Sequence, residues 1–111
     1  MKKTGERVGA MLGSTDEVIQ FLGFGVYEGY HPPKDPTPVG FIAEIASEAH
    51  VEGWTNPRIR LDSGAVVWGC ECWWGPEDEY KQILADWEAQ GKTVEHVNID
   101  QIRSEHERTD E

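Results

Sequence analysis

The stretch NPRIRLDSGAVVWGCECWWG, residues 56–75, constrains the fold more than any other part of the chain. Its opening residues alternate. Ile59 and Leu61 point one way and Arg58 and Arg60 the other, as a strand buried on one face requires. Asp62-Ser63-Gly64 supplies turn chemistry, and residues 65–74, rich in valine and tryptophan, read as the returning strand of a β-hairpin. With Leu61 opposite Val66, Ile59 falls opposite Trp68. One face then carries Ile59, Leu61, Val66, Trp68, Cys70, Cys72 and Trp74, and the other Arg58, Arg60, Val67, Glu71 and Trp73. The first face is the candidate core.

The rest of the chain supplies partners for this hairpin. Residues 5–12 (GERVGAML) read as a first strand, 13–17 as a turn, and 18–27 (VIQFLGFGVY) as a long second strand. Gly23 and Gly25 inside it point to a bend, a bulge or a face pressed against another backbone. Ser14-x-x-Glu17 also fits a capping box, which would make 15–22 a short helix; the β-branched and aromatic residues past Gly23 favour the strand. Residues 28–40 (EGYHPPKDPTPVG) hold prolines at 32, 33, 36 and 38 and are expected to be a loop. Residues 39–50 place Phe41, Ile42, Ile45, Ala46 and Ala49 on one helical face, with Gly53 as the stop. Gly75-Pro76 opens a second helix, with proline at its first position and Glu77, Asp78 and Glu79 on the positive end of its dipole. Tyr80, Ile83, Leu84 and Trp87 form its apolar stripe, and Gly91 ends it. Residues 94–99 suit a final edge strand. The expected fold is α+β: a single domain over 1–100, built as a small, strongly curved antiparallel sheet with two helices. A polar acidic tail over 101–111, too polar to pack, follows as a frayed helix or a disordered segment.

Charge narrows the function. The chain has a formal net charge of −11, with 10 acids and 6 bases in residues 1–75 and 11 acids and 4 bases in residues 76–111. Nonspecific binding of nucleic acid or of an anionic membrane needs a basic face, so neither is expected. The balance serves solubility, or an acidic surface that mimics nucleic acid or docks on a basic partner. No run of about 18 apolar residues is present to span a membrane. MKKTGERVGAMLG lacks the apolar run of a signal peptide, so the expected location is cytoplasmic. Cys70 and Cys72 on one strand would share a face about 7 Å apart, too far for an unstrained disulfide, and are expected as reduced thiols.

The GERVGA start, the glycine-rich second strand and IRLDSGAVVWG together resemble the strand-turn-strand grammar of small SH3-like barrels, over residues 5–30 and 57–75. That resemblance implies a barrel that binds peptides, modified residues or small ligands on its loops. The proline-rich stretch and helix before the hairpin, and the helix after it, depart from the pattern. A partly open barrel or curved sheet therefore fits as well as a closed one. The wider pattern GERVGA…FLGFGVYEG…NPRIRLDSGAVVWGCECWWGPE is also similar to small uncharacterised proteins encoded by phages and prophages. This likeness implies a host-takeover or counter-defence role in the host cytoplasm, through binding a host protein or sequestering a nucleotide signal. It brings no catalytic residues.

Three chemistries compete for the remaining residues. Cys70 and Cys72 with His31, His50, His96 or His106 could ligate zinc, but structural zinc sites use C-x₂₋₄-C and a second pair, and cysteine is a common buried hydrophobe. Nucleophilic use of either thiol needs an electropositive setting, which Glu71 opposes. No metal, cofactor or catalytic residue is therefore expected, and the protein is read as non-enzymatic. The favoured chemistry is capture of a small anionic ligand such as a nucleotide. Arg58 and Arg60 would hold phosphate beside Trp73, with Trp54, Tyr27, Tyr30 and His31 as further ligand-binding residues and the backbone N–H groups at 75–77 as extra donors. Against this, Arg58 and Arg60 could pair with Glu71 or Glu52, and Trp73 could pack under the last helix. Binding of a host protein by the same aromatics, or self-association into a homo-oligomer, remains open.

Overall fold

The structure is a computed structural model and describes residues 3–32 and 55–109. The expected loop residues 33–40, the expected helix 39–50 and Trp54 lie outside the described residues. The described elements are β1 (Arg7–Ser14), β2 (Val18–His31), β3 (Asn56–Leu61), β4 (Val66–Trp68), a 3₁₀ turn (Gly69–Glu71), β5 (Trp73–Pro76), α1 (Glu77–Ala89), β6 (Thr93–His96) and α2 (Ile99–Thr109). They form a mostly antiparallel, six-stranded sheet of order β4-β3-β2-β1-β5, open rather than closed, with β6 added parallel to β2. Among the described residues no helix is long and apolar enough to cross a membrane.

Chain reach dictates that this sheet curls. β4 and β5 stand four strands apart in the path, about 19 Å if the sheet were flat. Only the 3₁₀ turn and Cys72 join them, and a 3₁₀ segment rises about 2 Å per residue, so the link spans roughly 13 Å. The end strands must therefore bend toward each other. β2, at 14 residues, makes this possible. It pairs with β1 on one edge, and with β6 and then β3 in succession along the other.

The two faces of the sheet bury different clusters. Val8, Ala10, Leu22, Tyr27, Ile59, Leu61 and Val67 pack together with Ile99 from α2, and Cys72 and Trp74 border them. On the other face Ile19 and Phe21 meet the expected stripe of α1, with Tyr80 buried and Ile83, Leu84 and Trp87 alongside. The Trp87 ring N–H donates to Thr93 O at 2.8 Å and ties β6 to that helix. Gly25 lies where β2 crosses β3 so closely that a Cβ would come 2.2 Å from Arg60 O, the face-to-backbone approach its sequence position suggested.

Four expectations are corrected. β2 runs on to His31, so Glu28, Gly29, Tyr30 and His31 belong to a strand and not a loop; Tyr30 pairs with Pro57 and His31 with Asn56. The hairpin register is one residue from that expected: Arg60 faces Val66, Ile59 faces Val67 and Arg58 faces Trp68. Gly64, at φ 97°, closes a three-residue loop in which Leu61 N donates to Ala65 O, and a one-residue slip sends each side chain to the other face. Trp68 is fully buried, yet on the side of Arg58, whose guanidinium sits 5.9 Å from its ring centre. The returning strand also breaks at Gly69, so Cys70 and Glu71 lie in the 3₁₀ turn and Trp73 and Trp74 on a separate strand paired with β1. Finally, the start of the polar tail packs. Asn98 Oδ1 accepts the N–H groups of Asp100 and Gln101 to cap α2, and Arg103 is buried against Glu71.

Candidate functional site

Arg58 and Arg60 are two apart on β3 and so share a face. Across from them β2 carries an irregularity: Tyr27 pairs with Ile59 and Tyr30 with Pro57, leaving Glu28 and Gly29 opposite Arg58 alone. Two residues facing one is a β-bulge, and Gly29 at φ 87° supplies the conformation it needs. The bulge re-aims Glu28 so that its carboxylate falls between the two guanidiniums. Arg60 Nε donates to Glu28 Oε2 at 3.1 Å. Arg58 Nε stands 3.0 Å from Glu28 Oε1, within ion-pair range, but its N–H does not aim at the oxygen, so this second contact is one of charge and not a hydrogen bond.

These residues line an open groove of about 380 Å³ together with Thr4, Gly5, Val26, Tyr27 and His31. Among the described residues its charge is unbalanced, because one carboxylate serves two guanidiniums. Among the described residues no other acid is in ion-pair reach of either arginine. Of the alternative partners expected from sequence, Glu71 pairs with Arg103 instead, and Glu52 lies outside the described residues. His31 Nε2 lies 2.8 Å from Glu28 O, so that nitrogen must carry a proton to donate, and Nδ1 faces away from this bond. Tyr27 is buried under the groove, its hydroxyl pushed up in pKa by burial, and its ring stacks on Trp74 at 5.2 Å. Tyr30 is 65% exposed and meets Tyr27 edge-on.

The groove therefore gathers Tyr27, His31, Arg58 and Arg60, with Tyr30 beside it. Trp73 is not there. It stands on β5, three strands from β3, and is 69% exposed. It borders a second open groove of about 480 Å³ with Leu12, Cys70, Cys72 and Trp74, which shares no lining residue with the first. Gly75 and Pro76 pair with β1, away from the arginines. Both cysteines are free thiols, and burial pushes Cys70 up to about 11 and Cys72 up to about 12, with Glu71 adding to each. Cys72 Sγ donates to Trp68 O at 3.4 Å. Such thiols stay protonated at neutral pH, which disfavours thiolate chemistry. Among the described residues no group of three or more His, Cys, Asp or Glu is placed to hold a metal ion.

Sequence reasoning missed Glu28, the residue that organises the groove. Its signal was present in the glycine next to it, at the point where β2 bulges. No family model matches the chain, and no curated protein or solved structure matches it.

Proposed function

We propose that the chain is a non-enzymatic binding protein that captures a small anionic ligand, such as a nucleotide signal, in the groove of Arg58 and Arg60. The observation that carries this reading is the excess positive charge there among the described residues, two guanidiniums to one carboxylate, in a chain of net charge −11. Guanidinium donors suit oxyanions, and the exposed Tyr30 offers a planar group a stacking surface. The β3–β4 hairpin, and the curl that lets one 3₁₀ turn join the end strands, support an SH3-like, partly open barrel that displays ligands at its rim. A phage counter-defence factor acting in the host cytoplasm is the setting that agrees with sequestration of a signal.

A second reading is an acidic inhibitor that blocks a host protein by mimicking nucleic acid. It is favoured by α1, where Asp78, Glu79, Asp86 and Glu88 are all exposed. Glu77 is not part of that surface, since Arg7 and Lys81 hold it. The two readings separate in one experiment, native mass spectrometry of untagged protein purified from cells, beside the same sample denatured. A mass excess of a few hundred daltons that denaturation releases, absent from the Arg58→Ala/Arg60→Ala double variant, supports the groove. A bare mass, with capture of a host protein that weakens in salt and fails on neutralising Asp78, Glu79, Asp86 and Glu88, supports the inhibitor instead. The same spectra report whether the chain is a homo-oligomer.

A further inference from the structure

Resting on the groove reading, we propose that Glu28 is a built-in competitor that selects for phosphate monoesters over carboxylates. Its two oxygens are divided between the Nε groups of Arg58 and Arg60, at 3.0 and 3.1 Å. This is the placement an incoming oxyanion would take, bridging the two side chains. The site is thus already filled by an anion that the chain supplies.

Charge and tethering then decide which ligands enter. Glu28 is attached to β2, so its local concentration at the arginines is of millimolar order or higher. A free carboxylate carries the same single charge and must also surrender translational freedom on binding. It gains nothing by the exchange. A phosphate monoester carries about −1.5 to −2 at pH 7 and three acceptor oxygens, so it can displace Glu28 and satisfy both guanidiniums. Displacement is sterically open, because Glu28 is only partly buried, at 29% side-chain exposure, and its backbone sits in a bulge and not a regular ladder. Tyr30, exposed at the groove's edge, can meet a planar ring joined to the phosphate. Hence the ligand class is a phosphate on an aromatic or nucleoside group.

Isothermal titration at fixed ionic strength tests this with inorganic phosphate, adenosine monophosphate, adenosine and acetate on the full chain. In the wild type, adenosine monophosphate should bind and acetate should not. Glu28→Gln keeps the shape and removes the charge. It should tighten phosphate and adenosine monophosphate by about tenfold or more and let acetate register, as expected when the internal competitor's local concentration is about ten times its own dissociation constant. Glu28→Asp, too short to span both arginines, should fall between, and it serves as the readout if Glu28→Gln does not fold. If both variants fold and bind phosphate no more tightly than the wild type, Glu28 is a structural pin and the competitor is overturned while the groove reading stands. If neither the wild type nor the variants bind any anion at millimolar concentration, the groove reading falls and this inference with it.

Discussion

Two arginine–carboxylate contacts in this molecule share their chemistry and differ in their surroundings. At the 3₁₀ turn, Arg103 and Glu71 are buried, with side chains 10% and 0% exposed. Their donors and acceptors are matched closely. Glu71 Oε1 accepts from Trp68 N and from Arg103 Nη2, at 2.9 and 2.6 Å, and Arg103 Nη2 also donates to Val66 O at 2.9 Å. In the groove one carboxylate is divided between two arginines, Arg58 at 25% and Arg60 at 48% side-chain exposure, and Arg58 makes no hydrogen bond to it. The first arrangement is a latch that holds α2 to the hairpin. The second leaves donors and charge for something else. Burial and saturation mark a structural pair; exposure and imbalance mark a binding site.

The largest expected effect sharpens that contrast. Arg103→Ala or Glu71→Ala strands a buried charge and should cost about 3–5 kcal/mol of stability by urea denaturation. Arg60→Ala should cost no more than about 1 kcal/mol, as for exposed pairs, and Arg58→Ala, which also uncovers the Trp68 ring, should cost more than Arg60→Ala but less than Arg103→Ala, while both abolish anion binding. Equal losses at Arg58 and Arg103 would break the comparison and make the groove part of the scaffold.

Next in size is Gly25→Ala. The new methyl would sit 2.2 Å from Arg60 O, so β2 and β3 must separate at the arginine rung. Overpacking of this kind costs roughly 1–3 kcal/mol. Anion affinity should fall with it, because the spacing of Arg60 against Glu28 depends on that rung; the latch should be untouched, as seen by an unchanged amide signal for Trp68. A stable variant with full anion affinity would mean that the groove does not depend on strand spacing.

A smaller effect lies in the alkaline range. The folded protein holds Cys70 and Cys72 above their ordinary value of 9.0, because burial disfavours thiolate. The stability this confers is complete below about pH 9 and is lost as pH rises toward 11 and 12. Thermal melts should therefore fall in that window for the wild type and fall less for Cys70→Ser/Cys72→Ser. Alkylation by iodoacetamide at pH 8 should be slow when folded and fast when unfolded. Rapid alkylation of the folded protein would mean that the second groove presents a reactive thiol.

How much of this could be read from the sequence depends on the range of the physics involved. The hairpin, the stripe of α1 and the pairing of β1 with β2 follow from local patterns, and the sheet is the α+β arrangement they imply. The register was lost on one residue, because three- and four-residue loops both fit Asp62-Ser63-Gly64-Ala65 and only the backbone of Gly64 chooses between them. That slip put Trp68 on the wrong face. Glu71 looked like a surface acid because its partner, Arg103, lies 32 residues away in a segment too polar to suggest burial. The arginines could be named from their alternation with Ile59 and Leu61, but not Glu28, since a bulge that re-aims one side chain leaves only a glycine as its trace.

Trp73 gives the last and smallest effect, and the one that most directly tests how the two grooves relate. Sequence alternation set it on the face of Arg58 and Arg60; the break at Gly69 moves it to β5, bordering the cysteines instead. At 69% exposure it buries little, so Trp73→Ala should change stability by no more than about 0.5 kcal/mol. It should leave anion affinity in the arginine groove unchanged, whereas Tyr30→Ala should weaken adenosine monophosphate and spare inorganic phosphate. An exposed tryptophan beside an open groove is a common anchor between proteins. Sedimentation of Trp73→Ala beside the wild type therefore decides what the ring serves. A loss of self-association assigns it to contact between copies. Loss of adenosine monophosphate binding would instead join the two grooves into one site, with the curl of the sheet bringing β5 over β3.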